Sequence, residues 1–264
     1  MGLREDLQSS DRVRTHSSPR TGGARLMSEQ NYINISASER DSFIYRIVSL
    51  RRVFDLFAGE ANVLVKPSKW QDPFENFILR ADRIYAQCWT LQKASDAMWR
   101  IYSPNTKAVR IRSTVRRLLE SLNADRASTA NTEAFIGRVR YLNNQKLMSY
   151  AKTIQGKAHR SPAVLASTLM VKRPAFKHER EVRLVFVPRA SRDNKSHLFS
   201  YAVSPHQLID QIMIDPRVSA SEAIALKARL RKTTSFSGSI KRSLLYAPPP
   251  NLITVVLESM KDIR

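Results

Sequence analysis

The stretch K-H-E-R-E-V-R-L-V-F-V-P, residues 177–188, sets Glu179 and Glu181 one residue apart among basic side chains, directly before an apolar run. Leu184 to Val187 reads as a buried strand, which would hold paired carboxylates at its entrance rigidly enough for chemistry. A second reading is structural. In an extended chain Glu179, Glu181 and Arg183 share a face, so the glutamates could simply pair with neighbouring Arg and Lys at a solvated strand edge.

Three further stretches carry side chains of interest. In F-I-Y-R, residues 43–46, Arg46 lies inside an apolar strand pattern. It must therefore meet a carboxylate such as Asp72 or Glu75, or an anionic ligand. In W-Q-D-P-F-E, residues 70–75, Asp72-Pro73 is a turn former whose aromatic neighbours fit a core. In Q-C-W-T, residues 87–90, Cys88 falls within a strand, where an inert buried thiol is expected rather than a nucleophile. Trp99 and Tyr102 stand three apart on one helical face, either as core or as a stacking platform.

The elements that must position these residues follow from periodicity and capping. Strands are expected at 43–47, 62–66, 84–90, 108–112, 135–142, 197–203, 209–214 and 239–246, with one led by the Glu pair and running to 187. Helices are expected at 50–57, 95–102, 114–122, 144–155 and 219–232. The fold class is α+β. Residues 1–36, rich in Ser, Arg, Thr and Gly, fit neither period and are expected to form a disordered basic tail, with Met27 a possible alternative start. Residues 37–264 are expected to form one α+β domain.

Composition bounds the partners. With 44 Lys and Arg against 23 Asp and Glu, the net charge is +21, a field that draws nucleic acid, nucleotides or acidic proteins. The single cysteine allows no internal disulfide, and the five histidines are too scattered for zinc-ligand spacing, so no metal is expected. No apolar run is long enough to span a bilayer, and neither a Walker-type loop nor G-x-G-x-x-G occurs, so a cytoplasmic protein without membrane contact is expected. Arg110, Arg112, Arg116 and Arg117 form a basic run that could contact phosphates.

The order Tyr45-Arg46, W-Q-D-P-F-E, C-W-T with M-W-R-I-Y at 98–102, and E-R-E-V-R at 179–183 resembles an uncharacterised bacterial domain family. That family's usual motifs are N-D-P-F-E, C-F-S, M-W-x-x-Y and W-x-x-E-x-E-x-R. Gln71 stands for the usual Asn, Trp89-Thr90 for Phe-Ser, and Phe176 near the usual Trp. The family in turn looks like the ADP-ribosyltransferase superfamily, which implies a split β-sheet core with surrounding helices. It also implies NAD as substrate without a metal, and transfer of ADP-ribose to an acceptor, nucleic acid or protein, or hydrolysis of NAD. By this resemblance Glu181 is the carboxylate beneath the ribose and Glu179 orients the nucleophile. Arg46 grips the phosphate, Thr90 supports the ribose or Glu181, and Tyr45, Trp99 and Tyr102 complete the cofactor-binding set. An intracellular bacterial protein with a toxin or phage-defence role fits this reading. The alternative is a basic nucleic-acid-binding module without catalysis.

Overall fold

A computed structural model describes residues 29–70, 84–124, 134–154, 161–188 and 196–248. Asp72 and Glu75, the expected partners of Arg46, lie outside these residues, as does most of the expected tail. The last part of that tail is built into the fold: β1 (Tyr32–Ile33) pairs parallel with β6 (Ala134–Arg138).

The chain begins its main run with β2 (Phe43–Ser49), which passes without a turn into α1 (Leu50–Gly59) because Ser49 caps the helix, accepting from Arg52 N. Glu60 ends that helix in the left-handed conformation, and β3 (Ala61–Val65) follows. Next come β4 (Tyr85–Thr90), α2 (Asp96–Tyr102), β5 (Ala108–Thr114) and α3 (Val115–Ala124). Beyond β6 lie β7 (Arg140–Tyr141), α4 (Asn144–Ile154), α5 (Pro162–Ser167), β8 (Val171–Lys172) and a 3-10 helix at Pro174–Glu179. The chain continues with β9 (Glu181–Phe186), β10 (Leu198–Ala202), α6 (Pro205–Leu208), β11 (Gln211–Ile214), α7 (Ala220–Thr234) and β12 (Ser239–Arg242).

Among the described residues ten strands form one large sheet in the order β1-β6-β9-β4-β2-β5-β11-β12, with β3 branching from β4 and β10 pairing with β3, while β7 and β8 form a separate pair. β4 is the point of division. One flank pairs along its whole length with β9, from Tyr85 opposite Phe186 to Thr90 opposite Glu181. The other flank is shared: Thr90 meets Tyr45 of β2, while Ala86 meets Val65 of β3. The α+β class and the split sheet expected from the resemblance are both present.

Apolar side chains pack on both faces of the sheet. On one face, α3 contributes the i, i+3, i+4, i+7 stripe Val115, Leu118, Leu119 and Leu122, all buried against Ile44, Val48, Ile111 and Leu184. Each such leucine stabilises the fold by about 1.5–3 kcal/mol through burial. On the other face, Ala166, Leu169 and Met170 cover Ala86, Phe135 and Val185. Met170 seats directly on β6: a Cβ at Gly137 would lie 2.6 Å from its sulfur, so any larger residue there requires the end of the Met170 side chain to move.

Three expectations are corrected. The strand expected at 135–142 is two short strands in different sheets, because β7 leaves β6 to pair with β8. The final strand stops at Arg242 rather than 246. Glu179 is not on a strand with Glu181 but closes the 3-10 helix before it.

Candidate active site

The link between the two glutamates is Arg180, held at φ 44 and ψ 53 in the left-handed region. That geometry costs a non-glycine residue on the order of 1–3 kcal/mol and persists only where its surroundings fix it. They do so from two sides. From β4, Leu91 N donates to Arg180 O at 3.0 Å, the Thr90 hydroxyl donates to Glu179 O, and Gln92 Nε2 donates to His178 O at 3.3 Å. From the β6–β7 segment, Val139 N donates to Glu181 O at 3.0 Å, and the Tyr141 hydroxyl accepts from Glu181 N at 2.9 Å.

The kink brings both carboxylates onto one lysine. Lys172 Nζ lies 2.6 Å from Glu179 Oε2 and 3.5 Å from Glu181 Oε2, with the Phe176 ring centre 4.4 Å away. Glu181 Oε2 also accepts from Arg183 Nε at 3.2 Å and Nη2 at 2.5 Å, and Arg183 Nη1 donates to Leu169 O at 2.7 Å. The Arg183 guanidinium carbon sits 4.6 Å from the Trp70 ring centre. Both glutamates are 5 % exposed and Arg183 is 0 % exposed. Two anions and two cations therefore neutralise one another out of water, an arrangement in which each partner depends on the others.

Burial alone would push the Glu181 carboxyl up, but Arg183, then Lys172, and a hydrogen bond from Cys88 outweigh it and hold the group below the usual carboxylate range. The Tyr102 hydroxyl donates to Glu179 Oε1 at 3.0 Å, and burial together with the Glu179 charge raises its pKa, so it remains a protonated donor. Tyr102 is nonetheless 44 % exposed and forms the solvent side of the cluster. Burial likewise pushes Tyr141 up to about 12.

Glu179, Glu181, Thr90 and Tyr102 are thus brought together. Arg46 stands next to Tyr45, where β2 and β4 part, and has no carboxylate partner among the described residues. Burial draws its guanidinium down to about 10, and its electrostatic neighbours are Cys88, Arg52 and Tyr201 rather than the glutamates. Tyr45 is buried opposite Thr90, its ring covered by the Arg110 guanidinium at 4.6 Å. Trp99 is 1 % exposed, which makes it a core residue and not a surface for stacking a ligand. Lys172 and Tyr141 were not singled out from the sequence. A lysine ending the apolar run L-M-V-K, residues 169–172, is the signal that could have found the first.

The basic run proves largely neutralised. Arg112 pairs with Asp210 at 2.7 Å, Arg117 reaches the same carboxylate at 3.5 Å, Arg116 pairs with Asp41 at 2.8 Å, and Arg110 is buried. Exposed Lys177, His178 and Arg180 flank the glutamates instead. Among the described residues no group of three His, Cys, Asp or Glu could hold a metal ion, and no helix is long and apolar enough to cross a membrane.

A family described as "Protein of unknown function (DUF2971)" matches residues 98–184, about a third of the chain, which include M-W-R-I-Y and E-R-E-V-R. No curated protein matches. Solved structures of DarT from Thermus sp. 2.9 are similar at low identity. The complex with NAD+ is 12 % identical with a TM-score of 0.37, covering 77 % of this chain and 96 % of that one. The complex with ADP-ribosylated ssDNA is 11 % identical with a TM-score of 0.39, covering 80 % and 97 %. Likeness at this level assigns no activity to the chain.

Proposed function

We propose that the protein cleaves the nicotinamide–ribose bond of NAD and passes the ADP-ribose to an acceptor or to water. The observation that carries this reading is the convergence of Glu179 and Glu181 on Lys172, at the strand end facing Thr90. When the bond to C1′ breaks, its electron pair leaves with neutral nicotinamide and positive charge develops on the ribose, much as in glycoside cleavage. Glu181, kept ionised by Arg183 and Lys172, supplies the fixed negative charge that such a transition state requires. Glu179 orients the nucleophile and takes its proton as the new bond to C1′ forms. Thr90 fixes the turn that carries both glutamates, through its bond to Glu179 O.

Exposed Tyr102, bonded to Glu179, marks the side from which substrate reaches the carboxylates. Arg46 does not take up the phosphate-gripping role that the resemblance implies, because alternation along β2 turns it, with Ile44 and Val48, to the face opposite Tyr45, which stands in register with Thr90 and Glu181. A nucleic-acid acceptor suits the net charge of +21 and the exposed Lys177 and Arg180 beside the glutamates. The intracellular bacterial setting and the toxin or phage-defence role belong to this proposal on the resemblance alone. The test is incubation with NAD labelled in its ADP-ribose moiety and whole-cell extract, followed by release of nicotinamide and by the fate of the label.

A further inference from the structure

We infer that Arg110, with the Tyr45 ring against it, forms a subsite for the diphosphate of a nucleotide on the same sheet face as Glu181. The inference deepens the NAD reading and rests on it for the identity of the nucleotide. Arg110 is 6 % exposed, yet its Nε is sealed from solvent without a hydrogen-bond partner. No hydrogen bond or carboxylate reaches its terminal nitrogens among the described residues. Arg183, the other buried arginine of the sheet, shows how this fold satisfies such a group: a carboxylate on Nε and Nη2 and a carbonyl on Nη1. Arg110 has the burial without the counterion. Desolvation lowers its pKa, and its electrostatic neighbours are the Tyr45 hydroxyl and Arg112, which is itself held by Asp210.

A buried charge without a partner is unfavourable unless a ligand supplies one, and a planar guanidinium fork matches the paired oxygens of a phosphate group. The register places it usefully. Arg110 lies against Tyr45, Tyr45 stands opposite Thr90, and Thr90 stands opposite Glu181. Neighbouring strands are about 5 Å apart, so Tyr45 and Glu181 are separated by roughly 10 Å across one face. That separation suits a diphosphate joined to a ribose lying over Glu181.

The probe is inorganic pyrophosphate, read by thermal melting against sodium chloride at matched ionic strength, with a short single-stranded oligonucleotide as a second arm. A saturable rise in the wild-type melting temperature with pyrophosphate is expected. Arg110→Met should melt at or above the unliganded wild type, because it removes an unpaired buried charge, and should lose the pyrophosphate shift. Arg110→Lys keeps the charge but not the fork; it should show a reduced shift, and it decides the matter if Arg110→Met does not fold. A wild type shifted by the oligonucleotide but not by pyrophosphate would overturn the subsite, as would a shift left unchanged in the folded variants. Nicotinamide release is measured separately. A pyrophosphate shift without NAD cleavage sinks the catalytic reading and leaves the anion subsite standing.

Discussion

Glu181 and Arg183, two residues apart on β9, form a buried ion pair in which one carboxylate oxygen accepts from both Nε and Nη2. Because Arg183 is 0 % exposed, removing its counterion leaves a charge in the interior. Glu181→Gln is therefore expected to destabilise the fold by about 3–5 kcal/mol. The double variant Glu181→Gln/Arg183→Met should be less destabilised than the two single changes added together, since the pair is lost as a unit. Urea unfolding of the four proteins measures this coupling, and additive losses would show that the two groups do not depend on each other.

The acid limb of stability should report Lys172. Glu181 titrates below its ordinary range in the folded state, so its contribution is present above the unfolded carboxylate value and is lost as pH falls through the lower folded value. Lys172→Met removes one of the two cations that hold the Glu181 carboxyl down and leaves Arg183 alone against burial, which raises the proton affinity of Glu181. Acid unfolding followed by circular dichroism should then begin at higher pH in the variant than in the wild type. Coincident acid transitions would show that Lys172 does not help hold Glu181 ionised.

If nucleic acid is the acceptor, its binding should weaken steeply with salt, because neutralised phosphates release counterions. Lys177→Glu with Arg180→Glu should lower affinity for a single-stranded oligonucleotide and flatten the salt dependence. Arg116→Ala should change little, since Arg116 is already paired with Asp41. Filter binding across a salt series separates the two surfaces; the opposite ranking would return the contact to the basic run at 110–117.

Much of this architecture could be read from the sequence because local signals agree with the fold. F-I-Y-R-I-V-S, capped by Ser49, gives a strand and then a helix, and E-V-R-L-V-F gives a strand buried on both faces. The assembly of the site was harder to read. Strand alternation placed Glu179 and Glu181 on one face, yet the structure brings them together through a left-handed Arg180, a conformation that an arginine does not advertise. Lys172 reaches them from a two-residue strand that pairs, among the described residues, with β7, a pairing across the chain that no periodicity encodes. The four-arginine run looked like an open basic surface because Asp41 and Asp210 are distant in sequence and meet it only in the folded state.

If Glu181 is the carboxylate opposite the developing ribose cation, nicotinamide release from NAD depends on its charge. Wild type and Glu181→Gln are compared at a temperature where melts show both to be folded, with Arg183→Met as a variant that perturbs the same ion pair but keeps the carboxylate. Release by the wild type, loss of at least about a hundredfold in Glu181→Gln and a smaller loss in Arg183→Met are expected. Equal release by the wild type and folded Glu181→Gln, or none from any of the three in the presence of cell extract, would contradict this role of Glu181.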